Sequence, residues 1–250
     1  MTINNTTLTF SAFALKSALA AVTLALQVAA LPAQAAGRNP NPGVSPINSS
    51  PYGKSYGDWG AAWWNWALGF PADQNPIRDS TGEFGSQGQS GPVWFLAGTS
   101  GATVERTLTI PQGKGIFIPL LNVINDYPCP DPNFQPAPGQ TLEEFLTEGA
   151  VFFVDHATEL ALEVDGVPLG NLFDYRATSG LFTFTGDPSL TAVFDPCITG
   201  EPQSAVTDGY WVMLAPLRPG RHTIHSTSKA EFPEFGFEFG VEVTYHITVE

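Results

Sequence analysis

Basic residues are scarce in this sequence. Its 250 residues contain 10 Lys and Arg against 24 Asp and Glu, which gives a formal net charge of −14 at pH 7. A surface this acidic repels the phosphates of nucleic acids and the headgroups of anionic lipids. The composition therefore disfavours nucleic acid and anionic membranes as partners.

Long apolar runs are also rare, and the clearest one lies at the N-terminus. Lys16 precedes an Ala-rich apolar segment, and an A-x-A arrangement ends at Ala35. This pattern predicts a secretory signal peptide over residues 1–35, and the mature protein is then secreted or periplasmic. A transmembrane anchor is disfavoured because Gln27 and Pro32 interrupt the run. No later run reaches the roughly 18 apolar residues that a membrane span needs, so no span is expected.

Only two cysteines occur, Cys129 and Cys197, and each lies in a turn rich in Pro and Asp. In an exported chain an even pair of this kind predicts a disulfide. A catalytic thiol or a zinc site is disfavoured, because no third ligand with suitable spacing accompanies either cysteine.

Signatures of common catalytic sites are missing. No serine stands in a G-x-S-x-G motif, and His222 and His225 are three residues apart in a predicted strand. Residues at that spacing point to opposite faces of a strand, so this pair cannot share a metal ion. The remaining acid or base candidate is His156 with its neighbour Asp155, since it is expected to end an apolar strand and begin a loop.

Alternating apolar and polar residues dominate the second half of the chain. The C-terminal stretch EFGFEFGVEVTYHITVE keeps this period of two throughout, and Asp165-Gly166 is a two-residue hairpin signal. About nine strands are predicted, with hardly any helix. The expected fold is all-β, a two-sheet antiparallel β-sandwich of jelly-roll-like or immunoglobulin-like type. It would occupy residues 56–250, after a flexible leader over residues 36–55 that is rich in Pro, Asn, Gly and Ser.

One short helix is predicted before the strands, and it contains four of the six tryptophans. At helical spacing Trp59, Trp63 and Trp66 form one apolar stripe and are expected to face the core. Trp64 lies about 140° from Trp59. It is either covered by the following polar loop or exposed as a stacking platform for a ligand.

Arg106 interrupts the apolar face of the predicted strand TVERTLTIP. Its side chain would point into the core, where an arginine must be paired or must reach solvent past its neighbours. Two interpretations remain open. The arginine is either part of a structural ion pair or a guanidinium that binds a ligand carboxylate in a cleft between the sheets.

A long polar loop spans residues 70–91, and loops of this length are usually functional or mobile. Its candidate ligand-binding residues are Asp73, Asn75, Asp79, Gln87 and Gln89. A network of Asx turns would explain several of these side chains without any ligand.

The segment NVINDYPCPDPN is rich in oxygen ligands. Asn122, Asn125, Asp126 and Asp131 are candidate calcium ligands, although the regular spacing of an EF-hand loop is missing. The alternative is a turn tethered by the disulfide. No other cofactor is expected.

Three long runs of the chain resemble a group of uncharacterised secreted bacterial proteins. They are WWNWALGFPADQNPIRDSTGEFGSQGQSGPVWFLAGTSG, RTLTIPQGKGIFIPLLNV and DGYWVMLAPLRPGRHTIH. The resemblance covers most of the chain after residue 35. It implies that the helix, the polar loop and the strands form one unit, and it implies no site residue. Similar sequences often have a Cys at the position of Phe84, which implies that the disulfide pattern varies.

These observations favour a secreted, non-catalytic binding protein for an extracellular ligand, and a glycan above other ligands. A small molecule is the other partner considered. One alternative is a polysaccharide lyase or hydrolase in which Arg106 neutralises a substrate carboxylate and either His156 or an Asp acts as the base. Another is a structural envelope or matrix protein. The sequence favours no particular oligomeric state.

Overall fold

The computed structural model describes residue 41 and residues 43–250. The predicted signal peptide, residues 1–35, lies outside the described residues. Within them no helix is both long and apolar enough to span a membrane. In chain order the helices and strands are α1 (Tyr56–Ala67), β1 (Val93–Phe95), β2 (Thr103–Ile110), β3 (Gly115–Tyr127), α2 (Leu142–Asp155), β4 (Ala157–Val164), β5 (Val167–Pro168), β6 (Arg176–Thr178), β7 (Phe182–Phe184), β8 (Gln203–Leu214), β9 (Gly220–Phe232) and β10 (Phe237–Val249).

The strands form two five-stranded sheets. The first has the order β1-β3-β8-β6, with β7 also paired to β8, and the second has the order β2-β10-β9-β4-β5. The predicted turn at Asp165-Gly166 joins β4 to β5. Both of its residues have positive φ, as a tight hairpin turn of this length requires. The predicted mostly-β, two-sheet architecture is confirmed.

The expectation of purely antiparallel sheets was wrong. Strand β1 runs parallel to β3, and β2 runs parallel to β10. The remaining strand pairs are antiparallel. Periodicity shows which face of a strand is buried, but it carries no information about the direction of the neighbouring strand. The sequence pattern therefore could not distinguish mixed sheets from antiparallel ones.

The two sheets share one hydrophobic core. A hydrogen bond also joins the two sheets: the Ser228 hydroxyl on β9 donates to the Leu120 carbonyl on β3 (2.9 Å). The predicted disulfide between Cys129 and Cys197 is confirmed. It ties the chain just after β3 to the segment that precedes β8.

Helix α1 begins with a capping box in which the Ser55 side chain and Asp58 satisfy each other's backbone N–H groups. All four of its tryptophans are buried. Trp64 is only 5% exposed, and its indole N–H donates to the Thr207 hydroxyl (2.9 Å) on β8. Trp64 is therefore not a surface stacking platform. The helix buries more than one stripe because the first sheet and the polar loop cover it on different sides.

Helix α2 replaces the apolar strand that was expected to end at His156. A second capping box, formed by Thr141 and Glu144, begins it, and His156 caps its C-terminus. The signal was present in the sequence. Leu142, Leu146 and the later apolar residues recur at helical spacing after a T-x-x-E motif, which is typical of a helix start.

The expected leader, residues 36–55, makes specific contacts in its described part. Val44 forms a β-bridge with Leu214, and the Ser45 N–H donates to the Met213 carbonyl (2.9 Å). The backbone of this part therefore pairs with the end of β8 in the first sheet. These contacts are made by the backbone, so the Pro, Asn, Gly and Ser content did not reveal them.

Candidate functional site

The polar loop at residues 70–91 is folded largely by its own candidate residues. The Asp79 carboxylate accepts hydrogen bonds from the Thr81 N–H (2.7 Å) and the Phe84 N–H (3.0 Å). Burial alone would raise the pKa of Asp79, but these hydrogen bonds outweigh it and hold the pKa below its ordinary value. The Asn75 side chain accepts from the Ile77 N–H and donates to the Ala67 carbonyl.

The other candidates of this loop differ in what they contact. The Gln89 side chain donates to the Phe95 carbonyl (2.8 Å) and accepts from the Phe95 N–H (3.0 Å), which fixes the loop to β1. Gln87 offers its backbone carbonyl to the indole N–H of Trp66 (2.7 Å). Asp73 is exposed. The structure therefore does not gather these side chains around a shared space.

Arg106 lies inside the protein, only 2% exposed. Its guanidinium donates to four backbone carbonyls, those of Ile77 (3.2 Å), Asp79 (2.8 Å), Ala97 and Gly98 (3.0 Å). Its acceptors are thus peptide oxygens of two loops, a third arrangement that neither sequence interpretation included. The side chain fastens the polar loop and the loop after β1 to the second sheet.

Asp155 and His156 contact different partners. The Asp155 carboxylate pairs with Arg176 (2.6 Å), which also pairs with the fully buried Asp208 (2.6 Å). The His156 ring stacks on Phe232, and its Nε2 lies 2.9 Å from a Glu234 carboxylate oxygen. Neither residue shares a hydrogen-bond partner with Arg106, so these three candidates do not form one catalytic group.

The candidate calcium ligands are separated by the geometry of β3. Asn122 and Asp126 share one face of the strand, whereas Asn125 lies on the other and donates to the Leu146 carbonyl of α2 (2.9 Å). Asp131 accepts from the Asn133 N–H in an exposed turn. The four predicted ligands are therefore not brought together.

A cavity of about 220 Å³ lies where α1, β3, α2 and β10 meet. Its walls are mainly aromatic and aliphatic. The aromatic residues that line it are Trp63, Trp64, Phe153, Phe194 and Phe239. A largely apolar cavity with a few polar groups is the usual form of a small-molecule site. It is the candidate functional site of this protein.

Few polar side chains reach the cavity. Besides Thr99 and Ser100, they are Asn122 on β3, Ser226 on β9 and Asp195 in the segment before β8. Two of the lining residues were predicted as site residues, Trp64 as an exposed platform for a ligand and Asn122 as a calcium ligand. Since the walls come from distant segments, no local spacing could have found the site. The one local signal was Asn122, a polar residue in the apolar run GIFIPLLNVI.

Asp195 lines the cavity, and a second carboxyl group, that of Asp126, lies close to it. Oxygens of Asp126 and Asp195 lie within 4.8 Å of each other, and the Gln203 amide donates to Asp126 (3.1 Å). Burial first, and then the neighbouring Asp195 carboxyl, raise the pKa of Asp126 to about 7. The Asp126 carboxyl therefore keeps its proton at mildly acidic pH.

This carboxyl pair predicts a pH-dependent stability. The pKa of Asp126 is higher in the folded protein than its ordinary value of 3.8, so the folded state binds the proton more tightly than the unfolded one. The stabilisation is complete below pH 4 and decreases as the pH rises to 7, by at most about 1.4 kcal/mol per unit. Urea unfolding between pH 4.5 and 8 should show this slope in the wild type.

The matched control for this slope is Asp126→Asn, which cannot titrate. The wild-type free energy of unfolding minus that of the variant should decrease with rising pH. Other titrating groups are the same in both proteins, so this difference reports Asp126 alone. A difference that stays constant from pH 4.5 to 8 would contradict the raised pKa of Asp126.

Comparisons with known proteins add little to this geometry. No family model and no curated protein matches the chain. A solved structure described as "Structure of PbICP-C in complex with falcipain-2" matches with 10% sequence identity and a TM-score of 0.22, over 64% of this chain and 100% of that chain. A similarity this low carries no argument about fold or function.

Proposed function

We propose that this protein is a non-catalytic binding protein for a small, mainly apolar molecule, which it holds in the cavity between the two sheets. In this proposal the fold is a mixed two-sheet sandwich around that cavity, and the protein acts after export. The proposal rests on one observation: a cavity of about 220 Å³ is lined by aromatic residues. An apolar cavity of roughly 150 Å³ already accommodates benzene.

The cavity favours an apolar ligand over a glycan. Recognition of a sugar ring needs an accessible aromatic face beside free polar side chains. Trp64 is buried, and Asn75, Asp79 and Gln89 are engaged in hydrogen bonds to the backbone. A lyase or hydrolase is less well supported, because Arg106, Asp155 and His156 contact separate sets of partners.

Filling the cavity should abolish binding of a hydrocarbon probe. Val243 on β10 lines the cavity, whereas Thr244 follows it on the opposite face of the same strand. We expect p-xylene to raise the Tm of the wild type and of Thr244→Phe, but not that of Val243→Phe. At ten times Kd the stabilisation should be about 1.4 kcal/mol. Differential scanning fluorimetry with increasing p-xylene measures it.

Two results would contradict the proposal. One is a wild-type Tm that p-xylene does not raise, and the other is equal binding by Val243→Phe and Thr244→Phe. A panel of neutral glycans belongs in the same assay. Retention of a glycan that Val243→Phe leaves unchanged would favour a site outside the cavity.

A further inference from the structure

Asp195 brings a carboxyl group to the wall of an otherwise largely apolar cavity. The residue is partly buried, and its side chain accepts a hydrogen bond from the Cys197 N–H (2.8 Å). Within the described part of the chain, neither Asp195 nor its neighbour Asp126 forms an ion pair with a Lys, Arg or His. Charges inside proteins are normally paired, because a carboxylate that loses its hydration needs a counter-charge.

Asp126 does not supply that counter-charge. While it keeps its proton, its carboxyl group is hydrogen-bonded to Asp195 and is neutral. The Gln203 amide donates to Asp126 (3.1 Å). The single negative charge of the pair therefore lies on Asp195, the member that lines the cavity.

The other walls of the cavity suit a cation. Phe194 directly precedes Asp195, and its ring centroid lies 6.2 Å from that of Trp64, so two aromatic rings line the cavity together with the carboxylate. The face of an aromatic ring attracts a cation. No Lys, Arg or His lines the cavity among residues 43–250. An anionic ligand would therefore lose its hydration without a counter-charge and would meet a like charge.

A metal ion fits these groups less well than an organic cation. The carboxyl oxygens of Asp126 and Asp195 lie close to the sulfur of Cys197, but that sulfur is part of the disulfide and is not a thiolate. Calcium takes about six to eight oxygen ligands. An organic ammonium needs one carboxylate and an apolar surface for its body, and the cavity offers both.

We infer that the ligand of this cavity is a small aromatic or aliphatic amine, whose ammonium group pairs with the Asp195 carboxylate while its apolar body lies against the aromatic walls. This inference rests on the proposed function, because it names the ligand class of the same cavity.

Three probes of similar shape test the inference at about pH 6, where Asp126 is protonated. p-Methylbenzylamine carries an ammonium group where p-ethyltoluene carries a methyl group, and p-toluate carries a carboxylate at the same end. Isothermal titration of the full chain gives the ratio of the p-ethyltoluene Kd to the amine Kd. We expect this ratio to decrease at least about ten-fold in Asp195→Asn, which keeps the shape but not the charge. The wild type should bind p-toluate at least about ten-fold more weakly than the amine.

Two double variants complete the test. Asp126→Asn/Asp195→Asn should show the same decrease, since no carboxyl group then remains that could ionise in place of Asp195. Asp73→Asn/Asp131→Asn removes charge from exposed positions outside the cavity and should keep the wild-type ratio. If Asp195→Asn does not fold, Asp195→Ser provides the same comparison.

Four results would overturn the inference while p-xylene still binds the wild type. They are an unchanged ratio in Asp195→Asn, a decrease that occurs only when Asp126 is also replaced, an equal decrease in Asp73→Asn/Asp131→Asn, and p-toluate binding as tight as that of the amine. If neither p-xylene nor any of the three probes binds, the proposed function fails instead.

Discussion

Replacing Arg106 with Met should destabilise the protein by at least about 3 kcal/mol. The variant keeps most of the apolar stem but removes the guanidinium donor from four carbonyls. Among the described residues, only the Ala97 carbonyl keeps another side-chain donor, the Tyr245 hydroxyl, and each buried unpaired group costs about 1–3 kcal/mol. The polar loop and the loop after β1 would also lose their shared attachment to the second sheet. Urea unfolding followed by tryptophan fluorescence measures the free-energy difference.

Two further variants serve as controls for this prediction. Arg221→Met changes an exposed arginine on β9 and should alter the unfolding free energy by less than about 0.5 kcal/mol. Arg106→Lys should lie between Met and the wild type, because one ammonium group cannot reach four separated carbonyls. An Arg106→Met variant with wild-type stability and lost ligand binding would instead support the interpretation of Arg106 as a ligand-binding group.

Arg106 also illustrates what the sequence could and could not predict. Alternation in TVERTLTIP correctly placed its side chain on the core face, because facing in or out depends only on the period of the strand. Its acceptors are backbone carbonyls of loops whose paths depend on the whole fold. Periodic patterns therefore predicted the burial of the guanidinium but not its partners.

The candidate site was harder to predict than the fold. The two sheets, the hairpin at Asp165-Gly166 and the disulfide follow from local patterns and composition. The cavity exists only after α1, β3, α2 and β10 have packed together. Asn75 and Asp79 were predicted as ligand-binding residues, but their side chains form turns, because turns contain the same residue types as ligand sites.

The Asp126–Asp195 pair was hard to predict for both of these reasons: its residues are distant in the sequence, and Asp is also common in turns. Asp126 was noted as a possible metal ligand, whereas its partner Asp195 lies 69 residues later and had no role in that prediction. The two side chains meet beside the disulfide, because Cys129 and Cys197 lie within three residues of Asp126 and Asp195. The cysteines therefore fix a wall of the cavity as well as the fold.

Removing this disulfide is expected to destabilise the protein by about 4 kcal/mol and to lower its Tm by roughly 10 °C. The bond joins residues 68 positions apart, so its loss increases the conformational entropy of the unfolded chain. The double variant Cys129→Ala/Cys197→Ala tests this without leaving a free thiol. It should also bind p-xylene more weakly, because Phe194 and Asp195 in the cavity wall lose their tether to β3.

Reduction supplies an independent control for the double variant. A phosphine reductant should lower the Tm of the wild type to that of the variant, and it should leave the Tm of the variant unchanged. Equal effects of the reductant on both proteins would mean that it acts elsewhere. A double variant within about 0.5 kcal/mol of the wild type would show that packing between β3 and the segment before β8 holds this wall without the covalent bond.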